Sequence, residues 1–340
     1  MKRFDVLQNI TISDIGFKGY GIGEYNGKIV HVWNALQGEV VDMIVLKKRR
    51  GRIEGTACAF HVKSKNRTEQ NEDHFLSCSP WSIIEPEEEM KLKKELAKKE
   101  YELCVSDSVL QSFACVTQEA HYGYRNKMEF SFCEDANGQL SLAFIERGYK
   151  TRRIPLVSCL LAHDAITKTA HVFLKWLQDE HILSEKLKSL IIRSNQKGET
   201  IAGLFLKEEY VFQSYPAIDS SLGGYAIYYS NPQSPISRAD KLLYQQGQLV
   251  LNESICDVPL QYGLNSFFQV NIPLFEKVLD ELRNFVDGAP SLIDLYCGVG
   301  SIGIVLGKKL GVPIQFIEEN EEANIFLKEN CERNNIQSYE

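Results

Sequence analysis

One stretch, Ser291 to Glu318, constrains the fold more than any other. Leu292 to Tyr296 is a short apolar run carrying a single acid, Asp294. A glycine-rich turn follows, Cys297-Gly298-Val299-Gly300-Ser301-Ile302-Gly303, and then the apolar helical stretch Ile304 to Leu310. Gly311 and Pro313 punctuate its end, and Ile314 to Ile317 reads as a second strand that stops at Glu318 and Glu319. Strand, tight turn, helix and strand in this order make a parallel βαβ unit, because parallel neighbours need a crossover rather than a hairpin. The glycines let a ligand approach the backbone, the helix start offers N–H groups, and an acid at the tip of the next strand can accept two ribose hydroxyls.

Gly298-x-Gly300-x-x-Gly303 fits the dinucleotide fingerprint, with Glu318 about 20 residues further on. The same glycines also suit a turn in an ordinary α/β domain. Two details favour S-adenosylmethionine over a nicotinamide. Asp294 lies inside the first strand, placed to orient the turn or meet the methionine end, and adenosylmethionine has no pyrophosphate that would need the third glycine.

The 340 residues are enough for two or three domains. Net charge is −7, so a nucleic-acid partner has to be held by local basic patches rather than by a global field. The N-terminus lacks an apolar signal core, and no run of about 18 apolar residues occurs, which predicts a cytoplasmic protein without a membrane partner. Nine cysteines, with no C-x-x-C pair, suit reduced and mostly buried thiols. No metal ligands are expected.

Before the glycine-rich stretch the chain reads as two β-rich regions. Residues 4–63 alternate in short runs divided by Gly16, Gly19, Gly21, Gly23 and the hairpin signal Asn26-Gly27, which predicts a small OB-like barrel. Five cations within six residues, Lys47, Lys48, Arg49, Arg50 and Arg52, close its fourth strand. They suit a charge-protected edge strand, or a phosphate-tracking surface beside Phe17, Tyr20 and Tyr25, expected to be exposed. Residues 64–73 read as a linker, and Pro86 to Tyr101 as a charged helix whose buried stripe is Leu92, Leu96 and Leu103. From about 105 to 264 the pattern is mainly β. Met128, Phe130 and Phe132 share one strand face while Arg125 and Lys127 point elsewhere. A second basic cluster comprises Arg147, Lys150, Arg152 and Arg153. His163 to Leu177 is helical, with His163 and His171 structural, and strands follow at 189–194, 200–206 and 225–229.

Laid in order, these pieces resemble the RNA (uracil-5-)-methyltransferase family over nearly the whole chain. The N-terminal barrel with its basic end is similar to a TRAM domain. Tyr124 to Phe132, and Ala143 to Gly148 through Val157 to Leu161, resemble the family's central segments. Asn265-Ser-Phe-Phe-Gln-Val-Asn271 is similar to the motif opening the catalytic domain, and Asp294 to Ser301 to the methyl-donor loop. The resemblance implies a multidomain α+β and α/β chain. Its parts are a TRAM barrel (1–63), a linker and charged helix (64–104), a central mainly-β, RNA-contacting domain (105–264) and the start of a Rossmann-like domain (265–340).

It also implies S-adenosylmethionine as cofactor and RNA as partner, ribosomal rather than transfer RNA, for a monomeric enzyme. Gln269, Tyr296, Gly298, Gly300, Ser301 and Glu318 would bind the donor, with Ala323, Asn330 and Asn334 behind Glu318 at the ribose. Lys47, Lys48, Arg49, Arg50, Arg52, Arg125 and Lys127 would hold RNA.

Two departures stand out. Many relatives bind an iron–sulfur cluster through four cysteines. Here Cys159 takes the fourth position, but Cys78 alone stands where three are needed, so no such cluster is expected. In addition, the family's Asp-Pro-Pro segment, nucleophilic cysteine and carboxylate base fall beyond Glu340. Those are the parts that add a thiolate to uracil C6 and remove the C5 proton, so this polypeptide alone is expected not to complete the reaction. Two rival readings are a non-catalytic RNA-binding protein with a vestigial cofactor fold and a nicotinamide-dependent oxidoreductase.

Overall fold

The computed structural model describes residues 3–49, 51–118, 120–149, 151–336 and 338–339. Chain contacts divide it into two units, Met1–Cys115 with Phe144–Leu156, and Val116–Ala143 with Val157–Glu340.

The first unit is built on five strands, β1 (Val6–Ile15), β2 (Gly21–Tyr25), β3 (Lys28–Trp33), β4 (Val40–Arg49) and β5 (Arg52–Val62), closed into a barrel in the order β1-β2-β3-β5-β4. Alternation drives the closure: Ile10, Ile12, Val30, Val32, Val41, Met43, Val45 and Ile53 all point into one core. At the β2–β3 hairpin Asn26 and Gly27 have φ of 49° and 72°. Two successive left-handed residues give the hairpin turn whose twist matches its strands.

Residues 64–73 are tied to the barrel. Arg67 donates from Nε and Nη2 to the fully buried carboxylate of Glu39, each at 2.7 Å, and from Nη1 to Asn34. Burial pushes the Glu39 carboxyl up, but the Arg67 bond and the amides of Leu36 and Ser64 outweigh it and hold the group below the usual range. After α1 (Phe75–Cys78), helix α2 (Pro86–Tyr101) packs Leu92 and Leu96 against Ile15, Leu36, Ile83 and Ile84. Leu103, expected in the same stripe, lies beyond the helix end and is 98% exposed. Helix α3 (Asp107–Gln111) follows.

The second unit opens with β6 (Lys127–Glu134) and β7 (Leu140–Ile145); the chain then returns to the first unit for the short β8 (Arg153–Pro155). Helix α4 (Asp164–Asp179), capped by the His163 ring, leads into β9 (Leu187–Ser194), β10 (Thr200–Leu206), β11 (Leu222–Tyr229) and β12 (Lys241–Gly247). The main sheet runs β12-β11-β10-β9-β6-β7. Its central strands are buried almost throughout, and Met128, Phe130 and Phe132 are buried on β6. A hairpin of β13 (Val250–Ile255) and β14 (Val258–Gly263) then precedes α5 (Ile272–Phe285).

The last part is a parallel sheet in the order β15-β16-β17, from β15 (Leu292–Leu295), β16 (Ile314–Ile317) and β17 (Ser338–Tyr339). Helices α6 (Gly303–Leu310) and α7 (Glu321–Asn334) make the two crossovers. One apolar cluster joins this sheet to the hairpin and the main sheet, from Phe205 through Leu260 and Phe268 to Ile304 and Leu327. Among the described residues, no helix is long and apolar enough to cross a membrane.

Candidate functional site

β15 delivers Asp294 to the glycine turn, where its Oδ2 accepts the Gly303 N–H at 2.8 Å. This bond fixes the start of α6 over the strand. Burial pushes the Asp294 carboxyl above the usual range, and the Gly303 amide offsets part of that rise. The chain then leaves the strand through Tyr296 (φ 58°), Gly298 (φ 57°) and Gly300 (φ 84°). Tyr296 is a non-glycine residue in the left-handed region and is 91% exposed, a strained and solvent-facing position for a large aromatic.

The three glycines have different reasons. A Cβ on Gly303 would lie 2.5 Å from the Phe316 ring and 2.8 Å from Asp294 Oδ2, so this glycine serves helix–strand packing. A Cβ on Gly300 would meet Ile304 and Leu327 at 2.6 and 2.7 Å. Around Gly298, among the described residues other than its own chain neighbours, such a Cβ meets only the Phe267 carbonyl oxygen within 4 Å, at 3.8 Å. Gly298 is therefore where the turn lies open to a ligand.

Glu318, at the end of β16, closes the turn. Its Oε2 accepts the Gly298 N–H and its Oε1 the Asn320 N–H, both at 2.8 Å. A carboxylate offers about four acceptor positions, so two remain for hydroxyl donors. Asn330 and Asn334 do not join it: the Asn330 side chain bonds Val299 and both backbone groups of Gln261, and Asn334 bonds Pro259. Both are buried, and they lash α7 to the β14 hairpin and the turn rather than facing a ribose.

The segment 265–271 approaches the turn through the Phe267 carbonyl, and Phe267 itself is 75% exposed. Two residues outside the predicted set fix it. Asn126 donates from Nδ2 to the Gln269 carbonyl at 2.9 Å and from its backbone to Val270 at 3.0 Å. Arg193, 1% exposed, donates from Nη1 to the carbonyls of Gly263, Leu264 and Ser266. Burial lowers the Arg193 pKa to about 10, with the nearby Tyr262 and Glu322 opposing. A lone arginine inside the apolar run Leu190-Ile-Ile-Arg-Ser194 was the available signal, because a buried cation in a central strand must be paid by acceptors. Gln269 and Ser301 are both half-buried. Cys297 and Cys331 are buried, and burial pushes their thiols up to about 12 and about 11, values that suit packing rather than attack.

The basic residues fall into two groups. On the barrel, Lys47, Lys48 and Arg49 are exposed, and Lys28, Lys48, Arg49 and Arg52 line a pocket of about 300 Å³. Arg49 and Arg52 share Glu54 at 3.3 and 3.1 Å, while Arg50 and Lys150 lie outside the described residues. Of the three aromatics expected to be exposed, only Phe17 is, at 65%. Tyr20 stacks on His31 at 4.2 Å, and Tyr25 packs against the barrel core. Arg147 lies over the Trp33 ring and bonds the Leu76 carbonyl, which takes it out of the second cluster. In the second unit Arg125 donates to the Lys127 carbonyl at 3.1 Å. Burial and the charges of Arg193 and Arg125 lower the Lys127 pKa, with Glu129 opposing.

No protein-family model matches the chain. An uncharacterized RNA methyltransferase of Caldanaerobacter subterraneus subsp. tengcongensis is 27% identical over 355 aligned positions, covering 98% of this chain and 78% of the relative. One of Clostridium acetobutylicum is 24% identical, covering 99% and 78%. Over nearly its whole length the chain is similar to proteins named RNA methyltransferases. Its fold is that of the Pyrococcus abyssi tRNA (uracil-54, C5)-methyltransferase, solved in complex with S-adenosyl-L-homocysteine. The two share a TM-score of 0.76 at 18% identity, over 97% of this chain and 78% of that one. The N-terminal barrel and the parallel βαβ end both lie within this likeness.

Proposed function

We propose that the chain carries, at the Gly298 turn, the S-adenosylmethionine site of an enzyme that methylates C5 of a uridine in RNA. The observation that carries this reading is the junction of Gly298, Glu318 and Phe267. An open glycine lies against a carboxylate with acceptor capacity to spare, beside an exposed aromatic. These residues fit a nucleoside carrying a cationic side arm. Glu318 accepts the ribose hydroxyls, and Gly298 lets the ligand approach the backbone. Asp294 fixes the turn through Gly303 and sets negative charge near the methionine end. When bound, adenosylmethionine supplies an electrophilic methyl group.

Tyr296, Gly300, Ser301 and Gln269 complete the donor site. Tyr296 and Phe267 present rings for a base or adenine to stack on. The backbone of Gln269 is held by Asn126, between the two side chains assigned to RNA, Arg125 and Lys127. On the barrel, Lys47, Lys48, Arg49 and Arg52 supply a phosphate-tracking surface, as a nucleic-acid partner requires of a chain with net charge −7. Access to a base within folded RNA requires unstacking it, and gripping flanking phosphates helps to offset that cost.

Calorimetric titration tests the donor. Adenosylmethionine is expected to bind and NAD not to, with affinity reduced about 10-fold or more in Glu318→Ala, the loss of about 1.4 kcal/mol expected for a charge-assisted hydroxyl bond. NAD binding, or unchanged affinity in Glu318→Ala, would overturn the assignment. The substrate is tested by nucleoside mass spectrometry of RNA from cells lacking the gene. Loss of 5-methyluridine from one RNA class supports uridine C5 and tells ribosomal from transfer RNA; an unchanged 5-methyluridine content contradicts it.

A further inference from the structure

The end of the main sheet that carries Asn126 also carries a cavity that the donor site does not use. The Ser194 amide bonds the Asn126 carbonyl at 2.9 Å, and strand register sets Ser194 beside Thr200 and Thr200 beside Leu222. The entries to β6, β10 and β11 and the end of β9 therefore meet at this end. Against the first turns of α4 it holds a cavity of about 310 Å³, whose lining includes His163, Asp164, Lys168, Lys197 and Asp219. All of these residues belong to the second unit. They come from three separate segments: α4 and its cap, the turn between β9 and β10, and the loop before β11.

Buried bonds fix the frame of this cavity. Asn195, fully buried, accepts the amides of Lys197 and Glu199 on its Oδ1, at 3.1 and 2.9 Å, and so sets the turn that carries Lys197. The Thr169 and Thr200 hydroxyls meet at 2.9 Å, and the Ser221 carbonyl accepts both the Thr200 amide and its hydroxyl at 2.7 Å. These bonds tie α4, β10 and the loop before β11 together. Asp219 Oδ1 accepts the amides of Ser221 and Leu222 and the Ser221 hydroxyl, at 2.7 to 2.9 Å, which leaves Oδ2 without a bond among the described residues. The Ser221 hydroxyl and the two amides hold this carboxyl below the usual range, so it is an acceptor at neutral pH. His163 Nδ1 accepts the Ala165 amide at 3.2 Å, which places the ring proton on Nε2 as a donor. Lys168 and Lys197 are exposed, and neither has an ion pair among the described residues. Asp164 stands at the start of α4, where the helix amides offset its charge.

We propose that this cavity grips one nucleotide of the RNA strand flanking the target uridine, with Lys168, Lys197 and His163 Nε2 on its phosphate and Asp219 Oδ2 accepting its 2′-hydroxyl. The inference rests on the proposed methylation of RNA and adds the place in the second unit where the strand is held. Two cations and a ring N–H suit a phosphate. An ionised carboxylate beside them suits a sugar hydroxyl, the group by which a protein tells RNA from DNA. An inorganic anion would meet the Asp219 charge with no hydroxyl to offer it. The location agrees with this role. Asn126, which holds the Gln269 backbone, is three strand spacings from Leu222, about 14 Å across the sheet. A stacked strand, at about 3.4 Å per nucleotide, spans that distance in about four.

The test uses the full chain and fluorescence anisotropy with single-stranded RNA and DNA oligonucleotides of one sequence. Lys168→Ala combined with Lys197→Ala is expected to weaken RNA binding about 10-fold and to lower the slope of log affinity against log salt by about 0.7, one phosphate contact on a single strand. Asp219→Asn keeps an oxygen for the Ser221 and Leu222 amides. It is expected to weaken RNA binding about 3-fold while DNA binding holds, so that the preference for RNA narrows. These variants change exposed side chains outside the donor turn, so circular dichroism and adenosylmethionine titration are expected to match wild type. RNA bound equally by wild type and the lysine double variant, with the slope unchanged, would overturn this site and leave the methylation reading standing. A wild-type chain that binds no RNA would overturn both. Uridine monophosphate that binds wild type more tightly than the oligonucleotide does, and not the double variant, would assign the cavity to a free nucleotide and overturn the strand contact.

Discussion

Replacing Arg193 by methionine tests how the donor site is supported. The methionine keeps most of the buried volume but removes every donor. Two of the three bonds from Nη1, to Gly263 at 2.8 Å and to Ser266, are well formed, and the third, to Leu264 at 3.4 Å, is weak. Charge-assisted bonds of this kind are worth about 1.5 to 3 kcal/mol each, so the gross loss is about 3 to 6 kcal/mol. Methionine also removes the cost of a buried cation, whose Nε has no hydrogen-bond partner, and that recovers part of the loss. The expected net destabilisation is about 2 to 4 kcal/mol, measured by urea unfolding with an unchanged m-value. Arg193→Lys, with a point charge able to serve one carbonyl well, is expected to lose less. Because the three carbonyls belong to the turn immediately before Phe267 and Gln269, amide exchange over residues 261–271 should accelerate, and donor affinity should fall. An R193M protein within about 0.5 kcal/mol of wild type, with exchange in that segment unchanged, would refute the reasoning.

Three further outcomes follow from the same structure. Gly303→Ala places a methyl 2.5 Å from Phe316, whereas Gly298→Ala meets open space at φ 57°. Thermal or urea unfolding should therefore show a loss of about 1 to 3 kcal/mol in the first and about 1 kcal/mol in the second, while calorimetry shows G298A losing donor binding despite its milder cost. Glu253 is 6% exposed; burial raises its pKa, the amides of Ser254 and Gln196 lower it in part, and Glu276 adds to the rise. A folded-state pKa above the unfolded value means that stability is full below the unfolded pKa and is lost as pH rises through the folded one. The stability of wild type minus that of Glu253→Gln should thus fall as pH rises above the ordinary carboxylate range, and a difference that rises instead would contradict the burial. Neutralising Lys47, Lys48 and Arg49 together should weaken binding to single-stranded RNA and lower the slope of log affinity against log salt by about 2, from about 0.7 per phosphate contact; an unchanged slope would remove this edge from the RNA surface.

Where the residue pattern has a strict period, the architecture was legible. The barrel strands alternate around a core only one side chain deep, so the positions of Val30, Val32, Val41 and Met43 leave little choice of face. The glycine turn was legible for a related reason: Gly298 and Gly300 adopt backbone angles that few other residues reach, and Asp294 and Glu318 stand at strand positions that topology sends to the same edge. The failures share a cause as well. Tyr20 and Tyr25 alternate correctly but find neighbours, His31 and the barrel core, that only the closed sheet supplies. Asn330 and Asn334 sit at helical spacing behind Glu318, yet hydrogen bonds to Gln261 and Pro259, some 70 residues earlier, take up their amides. Such long-range partners leave no trace in local pattern.

The same distinction separates the residues proposed to meet the donor from those that hold them in place. Gly298, Glu318, Tyr296 and Phe267 present surface, and apart from Glu318 they rely on other residues for their geometry. Asp294 holds Gly303, Asn330 holds Val299, Asn126 holds Gln269, and Arg193 holds the turn before Phe267. Each of these tethers joins a side chain to backbone in a different element, so the site's shape depends on the entry to β6, on β9, on α7 and on β15 at once. A substitution in the supporting set should therefore lower donor affinity and stability together, whereas one in the presenting set should lower affinity far more than stability. Glu318 sits between the two classes, because its Oε2 bonds Gly298 while its remaining acceptor positions face outward. Glu318→Gln keeps an acceptor for the Gly298 amide and should cost stability little, about 1 kcal/mol or less, while donor affinity falls well beyond that. Equal losses in unfolding and in titration would place Glu318 among the supports instead.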